Sequence, residues 1–241
     1  MAAAAVPSTT QVNKAGDALR EYFFAKPQVR DPDVIERLSA ALDVLTVWRA
    51  AHASPLQSAT MGLRSRVATA QCAQLEVSQR LKRIPTILNK LDREPGMMLG
   101  RMADIGGCRA VLRDIDEVRK VQRRYEDSDI VRRVRDYIDQ PKPDGYRAVH
   151  VIVEYGGRSI EVQLRTQIMH EWAYTVEGMN SRFGLDVKAG NGPAAVSQWF
   201  QAVSEAMAIE ESGMTVGDEL LQRVATLKVS AMPYLRLRGV Q

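Results

Sequence analysis

The chain has 241 residues, which is enough for one domain with a sizeable core and too few for two large ones. At 45% hydrophobic and 26% charged residues it is globular in composition, and its net charge of +4 is concentrated in residues 80–147, where seventeen Lys and Arg stand against twelve Asp and Glu. No run of eighteen apolar residues is present and the opening MAAAAVPSTT lacks the basic start and apolar middle of a secretory signal, so neither a membrane span nor export is expected, and two cysteines and three scattered histidines argue against a disulfide framework and a histidine-based metallohydrolase. A reducing cytoplasm is the expected compartment. Along the chain, residues 1–16 are small and polar and read as a flexible N-terminus. Asp31-Pro32-Asp33 starts a helix running to about Ala51, and Ser54-Pro55 starts another with apolar spacing at Leu56, Met61, Leu63 and Val67. These two are expected to pack as a pair within an N-terminal helical segment, 17–75. Cys108–Leu112 reads as a strand, Ile115–Tyr125 as a basic amphipathic helix and Ile130–Ile138 as extended. Arg147–Tyr155 alternates apolar residues, Gly156-Gly157 turns the chain, and Ser159–Leu164 returns antiparallel. Helix follows from Thr166 to about Arg182, breaks at Ala189–Pro193, and resumes over roughly 194–212 and 216–228 as a C-terminal helical segment, 186–241. The order predicts an α+β fold, a mixed central β-sheet covered by helices, with a core over 76–185.

The common glycine-rich phosphate loops and the H-E-x-x-H zinc motif are missing, so a phosphate binder in this chain has to be built from side chains. Three clusters offer them. The first is Arg80-Leu81-Lys82-Arg83 with Thr86 and Lys90 at helical spacing; the second is Asp104-Ile-Gly106-Gly107-Cys-Arg109. The third runs through Asp136-Tyr137-Ile138, Lys142, Asp144-Gly145-Tyr146-Arg147 and His150 into the hairpin bearing Glu161, Gln163 and Arg165. Asp104 and Glu161, each near a predicted strand end, suit one Mg²⁺ shared with substrate phosphates, and the clustered cations suit a triphosphate. Taken singly, Asp104 reads equally as a turn cap, Glu161 as a cross-strand ion-pair partner, His150 as a structural histidine, and Trp172 with Met169 as core.

Together the blocks RLKRIPTILNKL, MADIGGCRAVL, DYIDQPKPDGYRAVH and IEVQLRTQIMHEWA resemble the synthetase domain of the RelA/SpoT family, in its order and spacing, over about residues 75–185. The resemblance implies a nucleotidyltransferase-like synthetase fold and transfer of the β,γ-pyrophosphate of ATP to a ribose 3′-hydroxyl. It implies Arg80 and Arg109 as the pair that sandwiches the adenine, Lys82, Thr86 and Lys90 as phosphate contacts, Asp104 as Mg²⁺ ligand, and Glu161 as metal-holding acid and base. Lys142, Tyr146, Arg147 and His150 fall in the acceptor loop, with Tyr146 as the stacking ring, and Gln163 and Arg165 in the acceptor floor. Asn180 keeps an acceptor-side place, whereas Val176-Glu177 and Ser181-Arg182 depart from the family's acid-histidine and Tyr-Lys pattern. That departure weakens the expectation of a GDP or GTP acceptor that makes (p)ppGpp. It favours the branch of small toxins that pyrophosphorylate the 3′ CCA end of tRNA, block translation and are restrained by an antitoxin. Arg119, Lys120, Arg123, Arg124, Arg132 and Arg133 would then serve a polyanionic acceptor, or else form an ordinary solvated face. A non-catalytic nucleotide- or RNA-binding module is the third reading, and the C-terminal helices leave homo-oligomerisation open.

Overall fold

Five strands form one mixed sheet in the order β1-β2-β5-β4-β3: β1 (Glu76–Leu81), β2 (Gly106–Leu112), β3 (Val131–Asp136), β4 (Val149–Tyr155) and β5 (Arg158–Thr166). The computed structural model describes residues 5–25, 32–73, 75–126, 128–185 and 192–236. Only the central pair, β2 with β5, is parallel; every other neighbouring pair is antiparallel. Alternation along each strand divides the sheet into two unlike faces. One face carries Cys108, Ala110, Leu112, Val149, Val151, Val153, Ile160, Val162 and Leu164. It is covered by Leu56, Ala59, Leu63 and Val67 of α3 (Ala53–Thr69) and by Val118, Val121 and Tyr125 of α5 (Ile115–Glu126). Full burial of each large apolar side chain there contributes roughly 1.5–3 kcal/mol, so this layer is the main support of the fold.

The opposite face is polar, and the strand register lines it up in two rows. Arg135, His150, Gln163, Arg109 and Ser78 lie side by side across all five strands. The neighbouring row is Arg133, Ile152, Glu161, Gly107 and Arg80. Eight charged or strongly polar residues that lie far apart in sequence thus share one surface.

Helices α1 (Thr9–Ala25) and α2 (Pro32–Ala50) pack on each other, and with α4 (Ile84–Arg93) and a short 3₁₀ turn at Leu99–Arg101 they form a second core. Val12, Leu19, Leu45, Trp48, Ile87, Leu91 and Leu99 are its buried members. Two expectations change here. Residues 1–16 are not loose throughout, because from Thr9 they are the first turns of α1, with Val12 and Ala15 buried. The N-terminus of α1 is closed by a reciprocal Ser8–Gln11 cap, in which Ser8 Oγ accepts from the Gln11 amide (3.3 Å) and Gln11 Oε1 accepts from the Ser8 amide (2.9 Å). The partner of α2 is α1 rather than the following helix, since α3 gives its apolar stripe to the sheet.

A third core joins Tyr146, Ala148, Trp172, Ala173 and Val176 to Val196 and Phe200 of α7 (Ala194–Glu211) and Ala231 of α8 (Asp218–Arg236). The first of these helices to follow the sheet, α6 (Gln167–Phe183), is capped by Thr166 Oγ1, which accepts from the Met169 amide. The expected break at 189–193 falls largely outside the described residues, as does Asp31. Among the described residues no helix is long and apolar enough to cross a membrane.

Candidate active site

The first half of the site forms where β1 hands over to α4. The Lys82 amide donates to Ile105 O (2.8 Å) and Arg49 Nε donates to Lys82 O (2.7 Å), which fixes the strand end before Pro85 opens the helix. Lys82 from the strand end and Lys90 from the helix then converge on Asp104, with Nζ–Oδ distances of 2.9 and 3.0 Å. Burial alone would raise the Asp104 carboxyl, but the two ammonium groups outweigh it and hold it below the usual carboxylate range. Thr86 lies one turn before Lys90 on α4. Arg80 and Arg109 occupy adjacent strands and adjacent rows of the polar face, Arg80 exposed and Arg109 paired with Glu76 at 3.0 Å.

The second half is a hydrogen-bonded chain on β4 and β5. Arg165 Nη2 donates to Tyr146 OH (2.6 Å) and to Gln163 Oε1 (2.9 Å), and Tyr146 OH is 2.6 Å from His150 Nε2. His150 Nδ1 is 3.0 Å from Glu161 Oε1, and Gln163 Nε2 donates to Glu161 Oε2 (2.6 Å). Burial opposes ionisation of Glu161, yet the His150 and Gln163 contacts and the charge of Lys90 bring its carboxyl down to about 2. A carboxylate held that low is a weak base near neutrality, so its stronger contribution is fixed negative charge. The Tyr146 hydroxyl is pushed up to about 12 by burial and stays protonated. Tyr137 packs edge-on to His150 and Tyr146, with centroids 5.1 and 6.0 Å apart, and Lys142 Nζ sits 4.7 and 4.8 Å from the two tyrosine ring centroids.

The two halves meet across the parallel pairing. Gly107 faces Glu161 in register, and the charges of Asp104, Lys90 and Glu161 act on one another. Asp104 and Glu161 are a pair of ionised carboxylates set among cations, a donor set that fits a hard cation completed by substrate phosphates. Among the described residues no group of three or more His, Cys, Asp and Glu gathers as an all-protein cage would need.

Of the sequence-predicted residues, Lys82, Lys90 and Asp104 form one network, and Tyr146, His150, Glu161, Gln163 and Arg165 form the other. Arg147 joins neither, because its Nη2 is 2.8 Å from Glu211 Oε2 on α7 in a buried ion pair. Asn180 lies on α6, where its backbone carbonyl accepts from the Leu185 amide (3.1 Å), and its side chain contacts neither network. Tyr146 is 7% exposed, with the cations of Lys142 and Arg165 both over its ring, so the ring is covered rather than open for stacking. The six-residue basic surface is also divided. Arg119, Lys120, Arg123 and Arg124 belong to α5, which covers the apolar face. Arg119 is bound by Asp136 and Asp139, and Arg132 by Glu154. Arg133 remains exposed on the polar face, joined by Arg135, to which the sequence assigned no role. Tyr137 and Glu211 are further residues without a sequence-assigned role; Tyr137 stands inside a quoted cluster, whereas nothing in the pattern around Glu211 marks it.

The 142–147 loop has little steric freedom. Gly145 has φ +88°, and a Cβ there would meet Ser204 Cβ at 2.9 Å and Phe200 O at 3.1 Å. Gly145→Ala is expected to cost about 1–3 kcal/mol of stability, read as a lower denaturant midpoint with unchanged slope.

Residues 79–182 match the family described as "Region found in RelA / SpoT proteins". The middle of this chain is thus similar to a RelA/SpoT region. The chain is 31% identical over 143 residues to GTP pyrophosphokinase YjbM of Bacillus subtilis, covering 54% of this chain and 65% of that protein. It is 36% identical over 110 residues to GTP pyrophosphokinase YwaC of the same organism, covering 39% of this chain and 52% of that one. It therefore spans less than two thirds of the length of either curated relative. The crystal structure of small alarmone synthetase 1 from Bacillus subtilis with its product pppGpp superposes with a TM-score of 0.57 at 25% identity, covering 74% of this chain and 98% of that one. The matched region is thus similar to small alarmone synthetases, with the α+β architecture expected from the sequence. Both site networks lie inside it, whereas Glu211 and α7 lie beyond its matched residues.

Proposed function

We propose that the chain is an ATP-dependent pyrophosphokinase that transfers the β,γ-pyrophosphate of ATP to the 3′-hydroxyl of a guanosine nucleotide, GDP or GTP. The observation that carries this reading is the electrostatically coupled pair Asp104, in the turn before β2, and Glu161, on β5, flanked by Lys82 and Lys90 on one side and by the Tyr146–His150–Gln163–Arg165 network on the other. The GTP pyrophosphokinase activity named for YjbM and YwaC supports the guanosine acceptor.

In this mechanism Lys82, Thr86 and Lys90 bind the donor phosphates, and Arg80 and Arg109 hold the adenine by planar stacking. Mg²⁺ held by Asp104 and Glu161 supplies, when bound, neutralisation of phosphoryl charge. The acceptor 3′-oxygen forms a bond to the β-phosphorus, the bond from that phosphorus to the α-bridging oxygen breaks, and AMP leaves. Glu161 accepts the hydrogen bond of the attacking hydroxyl, orients it, and late in the step takes its proton and passes it to solvent, as befits a loose transition state that needs positioning more than a strong base. With a cation held at Asp104, Lys82 and Lys90 would be free to turn from that carboxylate toward the phosphates.

A second reading is favoured by one observation. Arg133 and Arg135 extend the polar rows to the sheet edge, beyond Glu161 and Gln163, where a polyanion longer than a nucleotide would run. In that reading the acceptor is the 3′ CCA end of tRNA, and the chain is a translation-blocking toxin paired with an antitoxin. Incubation with Mg²⁺ and γ-³²P-ATP in the presence of GDP, GTP, ATP or deacylated tRNA, with Glu161→Ala as control, separates the two. Label in a guanosine nucleotide is the expected result. Label on tRNA that is lost on removal of the CCA end moves the assignment to the toxin, and absence of transfer to every acceptor refutes both enzymatic readings in favour of a binding module.

A further inference from the structure

Helix α7, outside the matched region, grips the 142–147 loop at two places and α6 at a third. Ser204 Oγ donates to Gly145 O (2.5 Å), and Trp172 Nε1, beneath the loop, donates to Phe200 O (3.2 Å). Arg147 and Glu211 form an ion pair at 2.8 Å whose side chains are only 7% and 4% exposed. The absence of a Cβ at Gly145 is what allows the helix backbone so close.

A buried ion pair is poor evidence for stability, because apolar side chains of similar size often serve as well. What it does provide is one fixed geometry, since either charge left alone in the interior is strongly disfavoured. The segment held in this way includes Tyr146, bracketed by the two clamped residues Gly145 and Arg147. Tyr146 OH meets His150 Nε2, and His150 Nδ1 meets Glu161. Two short hydrogen bonds therefore link the clamped loop to the carboxylate that faces the acceptor. The loop also places Lys142, whose amide donates to Tyr146 O (3.1 Å) while its carbonyl accepts from the Gly145 amide (2.8 Å).

We infer that Glu211 is a positioning residue of the acceptor side, setting the 142–147 loop through Arg147 so that α7 governs acceptor binding without touching the donor. The inference rests on the pyrophosphokinase reading for its kinetic consequence and on the loop contacts alone for its structural one.

Two measurements on Glu211→Gln test it. Steady-state kinetics with the accepted nucleotide and ATP should show KM for the acceptor raised roughly tenfold and KM for ATP within about twofold, as expected when a binding group is displaced rather than removed. Amide exchange should quicken at least about tenfold at Gly145 and Tyr146 while β2 and β5 keep their protection. Should Glu211→Gln fail to fold, Ser204→Ala, which removes only the contact to Gly145 O, carries the same comparison with the same direction. Parallel rises in both KM values, or unchanged exchange in the loop, would overturn the positioning role. If the wild-type chain transfers to no acceptor, the pyrophosphokinase reading fails by itself, and loop exchange still decides whether α7 clamps the loop.

Discussion

Asp104→Ala is expected to lower pyrophosphate transfer to any acceptor by about 10³-fold or more, because it removes the carboxylate around which the donor side is organised. The side effects make the prediction specific. In the intact chain Lys82 and Lys90 are spent on Asp104, at 2.9 and 3.0 Å. With Asp104 gone, both ammonium groups are released toward the phosphates. ATP binding without added metal should therefore hold or strengthen while turnover collapses. Calorimetric titration of ATP into the variant, with and without Mg²⁺, alongside the transfer assay, reads both quantities. A variant that loses ATP affinity in proportion to rate would show that Asp104 acts in binding and not in the chemical step.

Glu161→Gln is expected to reduce transfer by a comparable factor with little change in architecture. The substituted amide can still accept from Gln163 through its oxygen and present its NH₂ to His150 once the imidazole changes tautomer, so the chain of hydrogen bonds survives and the charge does not. The substitution also has a pH signature. The Glu161 carboxyl is held at about 2 in the folded chain, below its ordinary value of 4.5. A depressed carboxyl stabilises the fold fully above the unfolded value and loses that contribution as pH falls toward the folded one. The wild-type chain should accordingly lose stability between pH 4.5 and about 2 through this group, and Glu161→Gln should be flatter over the same interval. Denaturant midpoints measured across that range for both proteins provide the check; identical acid limbs would remove Glu161 from the linkage.

The apolar face of the sheet was legible because period-two alternation in β4 and β5 is strong and the turn at Gly156-Gly157 is sharp. β1 was not, since Glu76–Leu81 is an edge strand, polar and partly exposed on both faces, and its Arg80 and Gln79 read as a surface patch. The start of α1 carried a usable signal, the Ser8 and Gln11 spacing of a reciprocal cap, beneath a composition that looked loose. In the site, Lys82, Thr86 and Lys90 could be grouped from their helical spacing, whereas the convergence of both lysines on Asp104, which stood in a separate cluster, could not, because the connection from α4 to β2 carries no periodic pattern. The role of Arg147 could not, because its partner Glu211 lies 64 residues away on a helix whose apolar stripe says nothing about a single acid at its end. The division of the basic surface was equally hidden, since α5 and β3 carry similar arginines to opposite faces of the sheet.

The parallel contact between β2 and β5 has an evolutionary consequence. Everything that would grip ATP comes from the stretch ending at β2, and everything that would meet the acceptor comes from the stretch between β3 and the helices after β5. The two lots of residues meet along the β2–β5 seam, at Gly107 with Glu161 and at Arg109 with Gln163. On the pyrophosphokinase reading, substitutions in the loop at 137–147, at the β3 edge or on α7 would change the acceptor while leaving the donor residues intact. A fold divided in this way would keep one phosphate chemistry while its acceptor side changed.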